Sequence, residues 1–443
     1  MSVAATLRKT SLWVLAVQCL LALSWTLYVL FLPGLLAAAG IARNWFVYVL
    51  IVDQMTFAVC DWGAGVYADR ISLAWRRIGR ILTAVALVSS AALLAMPWFA
   101  TVHNAPLLLA TIFVWVATSS ALRAPVFALL GRIRGLGNAR QRSGVVSMAL
   151  VGISLAGAIG PFLTTVLKGL DSRLPLALSA VALALASLWA TRAERILPAA
   201  REPDAGGTVP ALLPFDRGRA LRLAGIVLMA AFGTQLLTSI IMLPLYRPFV
   251  GDDALIWTAW FWAGFGVGLV PAAPIAAGRR PLIGAALALV AAIVALSASA
   301  AVNGLIMLVV TQIIAGAAWG VFSTVAFSSA LSLNAGRAAA SGTGTASGML
   351  FSALALAALA RLAIVAGGLG KHPVIVWLPE LSWAVACVLL FVVSRREAGN
   401  DRDGAAAHGP ISSGSNNATQ PSTCHSEPFD FAQDRHREES HPD

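Results

Sequence analysis

Between residues 11 and 394 the chain alternates long apolar runs with short polar joints. A helix rises about 1.5 Å per residue, so a hydrocarbon core about 30 Å thick is crossed by about 20 apolar residues. That ruler predicts twelve spanning helices, at 11–34, 44–68, 80–101, 105–130, 143–168, 174–197, 220–246, 253–277, 281–302, 304–332, 340–368 and 373–394. Tight joints such as TVHNAP (101–106), AAGRRP (276–281) and AVNGL (301–305) separate several of them. The stretch ERILPAAREPDAGGTVPALLPFDRGR (194–219) is the one long polar, Pro/Gly-rich connection, and it divides the spans six and six. The expected architecture is an all-α integral membrane protein, with one six-helix bundle over 1–197 and a second over 220–396. A linker over 198–219 joins them. After Arg396 the composition turns polar and loses any apolar period, which predicts a disordered tail over 397–443.

Composition leads to the same place. The 443 residues are 58% hydrophobic and 12% charged, with a mean hydropathy of +0.80, against about 25% charged in an ordinary soluble protein. So much apolar surface cannot be hidden inside a water-soluble fold, and the excess must face lipid. The net charge of +11 is spread as short arginine clusters between apolar runs, with lysine at only three positions. That is a topology signal, not a phosphate-binding stripe, and no nucleic-acid partner is expected. Placing the N-terminus inside puts Arg8, Lys9, Arg70, Arg76, Arg77, Arg80 and the later clusters at one face. The opposite loops keep only Arg43, Lys168, Arg173, Arg247 and Lys371. This asymmetry supports the span map and puts both termini in the cytoplasm. Trp45, Trp98, Trp257, Trp377 and Trp383 fall near span ends and are expected in an interfacial belt.

The halves share a faint repeat. GVYADRISLAWRR reaches Arg76 and Arg77 eleven residues after Gly65, and GLVPAAPIAAGRR reaches Arg279 and Arg280 at the same offset from Gly268. Duplication of this kind is common in secondary transporters. Twelve spans in two sixes, a long central loop and the segment Gly65-x-x-x-Asp69-Arg70 between spans two and three together resemble the major facilitator superfamily, over residues 8 to 396. The family's second glycine position is Ser72 here, and the arginine pair is displaced to Arg76 and Arg77. The resemblance implies two pseudo-symmetric bundles that rock about a central cavity, with Gly65, Asp69, Arg70, Arg76 and Arg77 acting as a conformational clamp. Span five carries SLAGAIGPFLTT, in which Gly160 and Pro161 resemble the Gly-Pro element of antiporter branches. The alternative there is that Gly157 and Gly160 permit close packing while Pro161 kinks the helix.

Three acids punctuate span two. By rise per residue Asp53 lies near the bilayer midplane, Asp61 about 12 Å deeper, and Asp69 at the cytoplasmic edge. A carboxylate at mid-depth costs at least about 2.5–3.5 kcal/mol on insertion scales and is tolerated mainly where it faces a bundle interior. Asp53 is therefore a proton-coupling candidate, with a hydrogen-bonded structural Asp beside Gln54 as the alternative. Arg123 on span four falls at the depth of Asp61, so the two are expected to meet or share a polar cavity, since an isolated buried charge is far costlier than a paired one. Both join Asp53 as proton-coupling candidates; the alternative is that Arg123 snorkels toward the cytoplasmic headgroups. Arg361 is expected to snorkel at the outer edge.

The resemblance implies that spans one, four, seven and ten line the cavity. Their mid-depth residues are Trp25, Tyr28, Trp115, Gln235, Thr238, Gln312 and Trp319. A pocket of aromatics and amides with almost no fixed charge suits an amphipathic neutral or cationic solute. Outside the tail the histidines are His103 and His372, both in outer loops, and no lysine stands in a phosphate-loop context. Haem, di-metal and ATPase chemistry are excluded on that ground, so neither an enzyme nor a cofactor or metal is expected. The expected protein is a monomeric, proton-coupled transporter of a small molecule in a cell membrane such as the bacterial inner membrane. Efflux is favoured. A non-transporting receptor on the same scaffold, or an importer of a neutral metabolite, stays open.

Overall fold

The computed structural model describes residues 3–74, 78–131, 139–196, 216–300, 304–333 and 342–407. Among the described residues there are helices and turns and no strand. Among the described residues eleven helices are long and apolar enough to cross a membrane, and the shorter apolar stretch Arg173–Trp189 stands in the sixth predicted place. That helix itself runs Arg173–Ile196. Its last turns carry Arg192, Glu194 and Arg195, which shortens the apolar part. Twelve crossings thus follow the apolar runs closely. Large aliphatic side chains cover the outside, with Val270 79% and Ile306 81% exposed, as lipid-facing surface requires.

Local chemistry sets the ends. Before span four, His103 adopts a positive φ, and the side chain of Asn104 accepts the Leu107 N–H at 3.0 Å with Pro106 in the first turn. Asp216 likewise caps span seven by accepting the Arg219 N–H at 2.9 Å. Two spans are irregular. Span four, expected as one helix over 105–130, is Ala105–Ser119, a 3-10 turn at Ser120–Leu122, and Ala124–Gly131. Pro125 has no N–H for the carbonyl four residues back and disfavours helical geometry in its neighbour, so the helix breaks at Arg123 (φ −101°, ψ −87°). Within a membrane the freed carbonyls need partners. The Gln18 amide of span one donates to the Leu122 carbonyl at 2.9 Å, and the Ser347 hydroxyl of span eleven to the Ala124 carbonyl at 3.3 Å. Span seven runs Arg217–Leu236 and Met242–Val250 around a π-helical turn at Leu237–Ile241.

Residues up to Arg396 form one compact unit. The halves meet where span two (Phe46–Ala74) runs along span eleven (Thr343–Ala366), and span five (Ala139–Leu167) along span eight (Ala259–Ala276). Lipid tails are as apolar as leucine, so such contacts rest on close packing of small residues. A Cβ on Gly65 would overlap the Gly344 carbonyl, one on Gly348 would press on the Asp61 carbonyl, and one on Gly157 would overlap the Trp262 ring. Gly268, the repeat counterpart of Gly65, instead abuts Ala317 of span ten. Span five continues as helix through Gly160 and Pro161, and Gly160 meets only the Thr26 side chain at ordinary contact.

Three expectations need correction or lie outside the described residues. Trp383 is fully buried and donates its indole N–H to the Ala230 carbonyl at 3.0 Å, so it packs span twelve on span seven and is no belt residue. Trp45, Trp98 and Trp377 are exposed. The compact unit ends at Arg396, as expected, but the last helix runs Leu378–Ala407 and so takes in the start of the stretch expected to be disordered. Arg76, Arg77 and the body of the 198–219 linker (up to residue 215) lie outside the described residues, as does the chain beyond Ala407.

Candidate functional site

A cavity of about 400 Å³ lies in the middle of the bundle, within the range that holds small ligands. Spans one, two, four and five form one wall and spans seven, eight, ten and eleven the other. Of the expected lining residues, Trp25, Trp115, Gln235, Thr238 and Trp319 border it. Trp25 and Trp115 stack on each other, with centroids 5.9 Å apart and planes 9° off parallel. The π-helical turn puts an extra residue into span seven, and Thr234, Gln235, Thr238 and Ser239 all reach the cavity along this stretch.

Tyr28 and Gln312 do not line the cavity. Tyr28 is fully buried and donates its hydroxyl to Asp53 Oδ2 at 2.6 Å. Its ring lies 4.6 Å from that of the lining residue Trp115, one layer behind the cavity surface. Gln312 is 1% exposed, its Oε1 without a hydrogen-bond partner. Asp53 is also buried, held by Tyr28 of span one, while its neighbour Gln54 borders the cavity.

Asp61 and Arg123 come together. Arg123 Nη1 lies 2.9 Å from Asp61 Oδ2; the carboxylate side chain is fully buried and the guanidinium 20% exposed. The pair is close without being aligned as a hydrogen bond. The guanidinium carbon also sits 4.8 Å from the Phe57 ring centroid and 5.0 Å from that of Phe351, so aromatic faces from both halves hold it. Arg123 borders the cavity, and Asp61 stands directly behind it. Toward the same end, Phe127, Phe327 and Phe351 cluster with centroids 5.0–5.3 Å apart.

Asp69 lies further along span two, at the arginine-rich end. Its Oδ1 accepts the Gly344 N–H at 2.8 Å, and its Oδ2 accepts the Thr345 N–H and hydroxyl, each at 2.7 Å. These are donors in the first turn of span eleven, where the helix exposes unpaired N–H groups and the positive end of its dipole. Gly65 permits the approach, because Asp61, Gly65 and Asp69 are four apart and share the face of span two that meets span eleven. Arg70 is exposed.

Arg361 overturns an expectation. It does not snorkel, but borders the cavity with its Nε buried and unpartnered. A lone arginine inside the run LALAALARLAIVAGG was the available signal, since ionisable residues in spans are functional by default. With Arg123 and Arg361 both in the lining, the expectation of almost no fixed charge is withdrawn. Among the described residues no cluster of side chains could hold a metal ion.

No protein-family model matches the chain, and no curated relative is found by sequence. Solved structures do match. The human organic anion transporter MFSD10 superposes with a TM-score of 0.61 at 17% identity, over 87% of this chain and 99% of its own. A major facilitator superfamily transporter, FucP, in the outward conformation gives 0.63 at 15%, over 87% and 99%. The proton:xylose symporter XylE gives 0.60 at 11%, over 88% and 96%. The chain has the major facilitator fold. At these identities the likeness speaks for architecture: twelve spans in two six-helix halves around the cavity just described.

Proposed function

We propose that this major facilitator-fold chain is a secondary active transporter that carries a small amphipathic solute by alternating access. The observation that carries the reading is a central cavity, walled by both halves, with an arginine in its lining that is paired to a buried acid behind it. Asp61 is the proton-coupling carboxyl, in preference to Asp53. Its partner Arg123 faces the cavity, whereas Asp53 is tied to Tyr28 behind it. A proton taken up on the Asp61 carboxylate removes the charge that Arg123 neutralises and frees the guanidinium. Solute binding and protonation then compete through Arg123.

Asp69 is the clamp. Its three hydrogen bonds to span eleven stabilise the state in which the arginine-rich end is closed, and the Gly65–Gly344 contact sets their geometry. Arginine placement makes that end cytoplasmic, so the cavity here belongs to an outward-facing state, with both termini inside a membrane such as the bacterial inner membrane. Efflux against proton entry is favoured by the span-five Gly160–Pro161 resemblance. Proton coupling accords with the proton:xylose symporter XylE among the structural neighbours. The test is flux in proteoliposomes loaded with a panel of amphipathic solutes under an imposed pH gradient. Gradient-driven solute movement supports transport; binding without flux would make the chain a receptor instead.

A further inference from the structure

Among the described residues, every charged side chain bordering the cavity is an arginine, and only one is neutralised. Arg123 is paired with Asp61. Among the described residues Arg361 has no hydrogen bond or ion pair, and its Nε is buried. A guanidinium whose Nε is buried without a partner is left under-satisfied, and an anion entering beside it relieves that cost. The cavity wall therefore carries one uncompensated positive charge.

Position adds shape to this. Arg361 lies ten residues beyond Phe351 on span eleven, about 15 Å along the axis, and the two bound the stretch of that span that lines the cavity. The same cavity is walled by aromatic rings, Trp25, Trp115, Trp262 and Trp319 among them. The planar fork of an arginine matches a carboxylate in two-point contact, and flat rings suit a flat apolar body.

We infer that Arg361 is an anion subsite, and that the solute is an amphipathic monoanion: a single carboxylate on a flat aromatic body. One uncompensated charge selects one negative charge, because a second anionic group would meet only the already paired Arg123. The inference rests on the transport reading for what happens to the solute afterwards, but binding itself can be measured alone.

The experiment titrates the detergent-purified full chain with 2-naphthoate and with its neutral amide, 2-naphthamide, and follows quenching of tryptophan fluorescence. The acid is expected to bind about ten- to hundred-fold more tightly than the amide, as a charge-assisted contact provides. Arg361→Gln is expected to bring the acid down to the amide's affinity and leave the amide unchanged; Arg361→Lys is expected to recover part of the preference. Because Arg361 has no partner to lose, Arg361→Gln should unfold at the wild-type temperature or above. A fall in that temperature with the acid preference kept would make the residue structural and overturn the inference. Equal affinity for acid and amide, or no binding of the acid at millimolar concentration, would also overturn it. Proteoliposome flux separates the two readings. An Arg361-dependent acid preference without flux leaves the subsite standing and removes transport, while flux of neutral solutes with no acid preference does the reverse.

Discussion

Replacing Asp69 by asparagine changes one atom of a three-bond contact between the halves. One carboxylate oxygen serves the Gly344 N–H, and the other serves the Thr345 N–H and hydroxyl. In asparagine one of those positions becomes an NH2 group. The threonine hydroxyl can rotate to accept from it, but a backbone N–H cannot, so at least one N–H of span eleven loses its acceptor whichever way the amide turns. A hydrogen bond to a charged group is worth about 1.5–3 kcal/mol, and the charge–dipole attraction at a helix N-terminus about 0.3–1 kcal/mol. The sum, about 2–4 kcal/mol, shifts the equilibrium between the closed and open arginine-rich end by roughly 30- to 1,000-fold. Spin labels at Arg80→Cys on span three and Arg222→Cys on span seven, in a protein otherwise free of cysteine, would report that opening as an added long-distance population. Asp69→Asn should enlarge it, and Asp69→Glu should enlarge it less. An unchanged distance distribution in the asparagine variant would refute the clamp.

Other expectations follow from the same contacts. Asp61→Asn should abolish pH-gradient-driven transport while solute exchange continues, and Asp53→Asn should keep coupled transport. The opposite pattern in proteoliposomes would move the coupling site to Asp53. Arg123→Met strands a fully buried carboxylate, which costs about 3–5 kcal/mol, whereas Asp61→Asn leaves a guanidinium still held by Phe57 and Phe351. Thermal unfolding should therefore fall further for Arg123→Met than for Asp61→Asn. Gln18→Leu removes the donor from the Leu122 carbonyl at the span-four break and should cost about 1–3 kcal/mol, measured by the same assay. Gly65→Leu would force spans two and eleven apart at the Gly344 carbonyl, and should mimic Asp69→Asn in the spin-label distances.

How much of this was legible in the sequence depends on which coordinate a residue's role requires. Height along the membrane normal follows from counting at a fixed rise, and it placed the spans, put Asp61 level with Arg123, and set Asp69 at the arginine-rich end. Which way a side chain faces does not follow, because each helix turns freely about its axis until its neighbours are known. Tyr28 and Gln312 were therefore expected in the cavity and are buried elsewhere, and Arg361 was expected at the lipid edge and borders the cavity. The break in span four was written in Pro125. The π-helical turn at Leu237–Ile241 carries no comparable mark in LTSII. The partner of Asp69 was beyond reach for another reason: it stands 275 residues away, and only the packing of glycines on two helices brings it near.

The central claim is that one cavity is exposed to each side of the membrane in turn. It is tested most directly by a single cysteine at Ser323, which borders the cavity from span ten, placed in an otherwise cysteine-free protein in oriented vesicles. The wild-type background should react with an impermeant maleimide from the face opposite the arginine-rich end, and Asp69→Asn should transfer reactivity to the arginine-rich face at the expense of the first. Simultaneous reactivity from both faces, or a side preference that Asp69→Asn leaves untouched, would contradict alternating exposure.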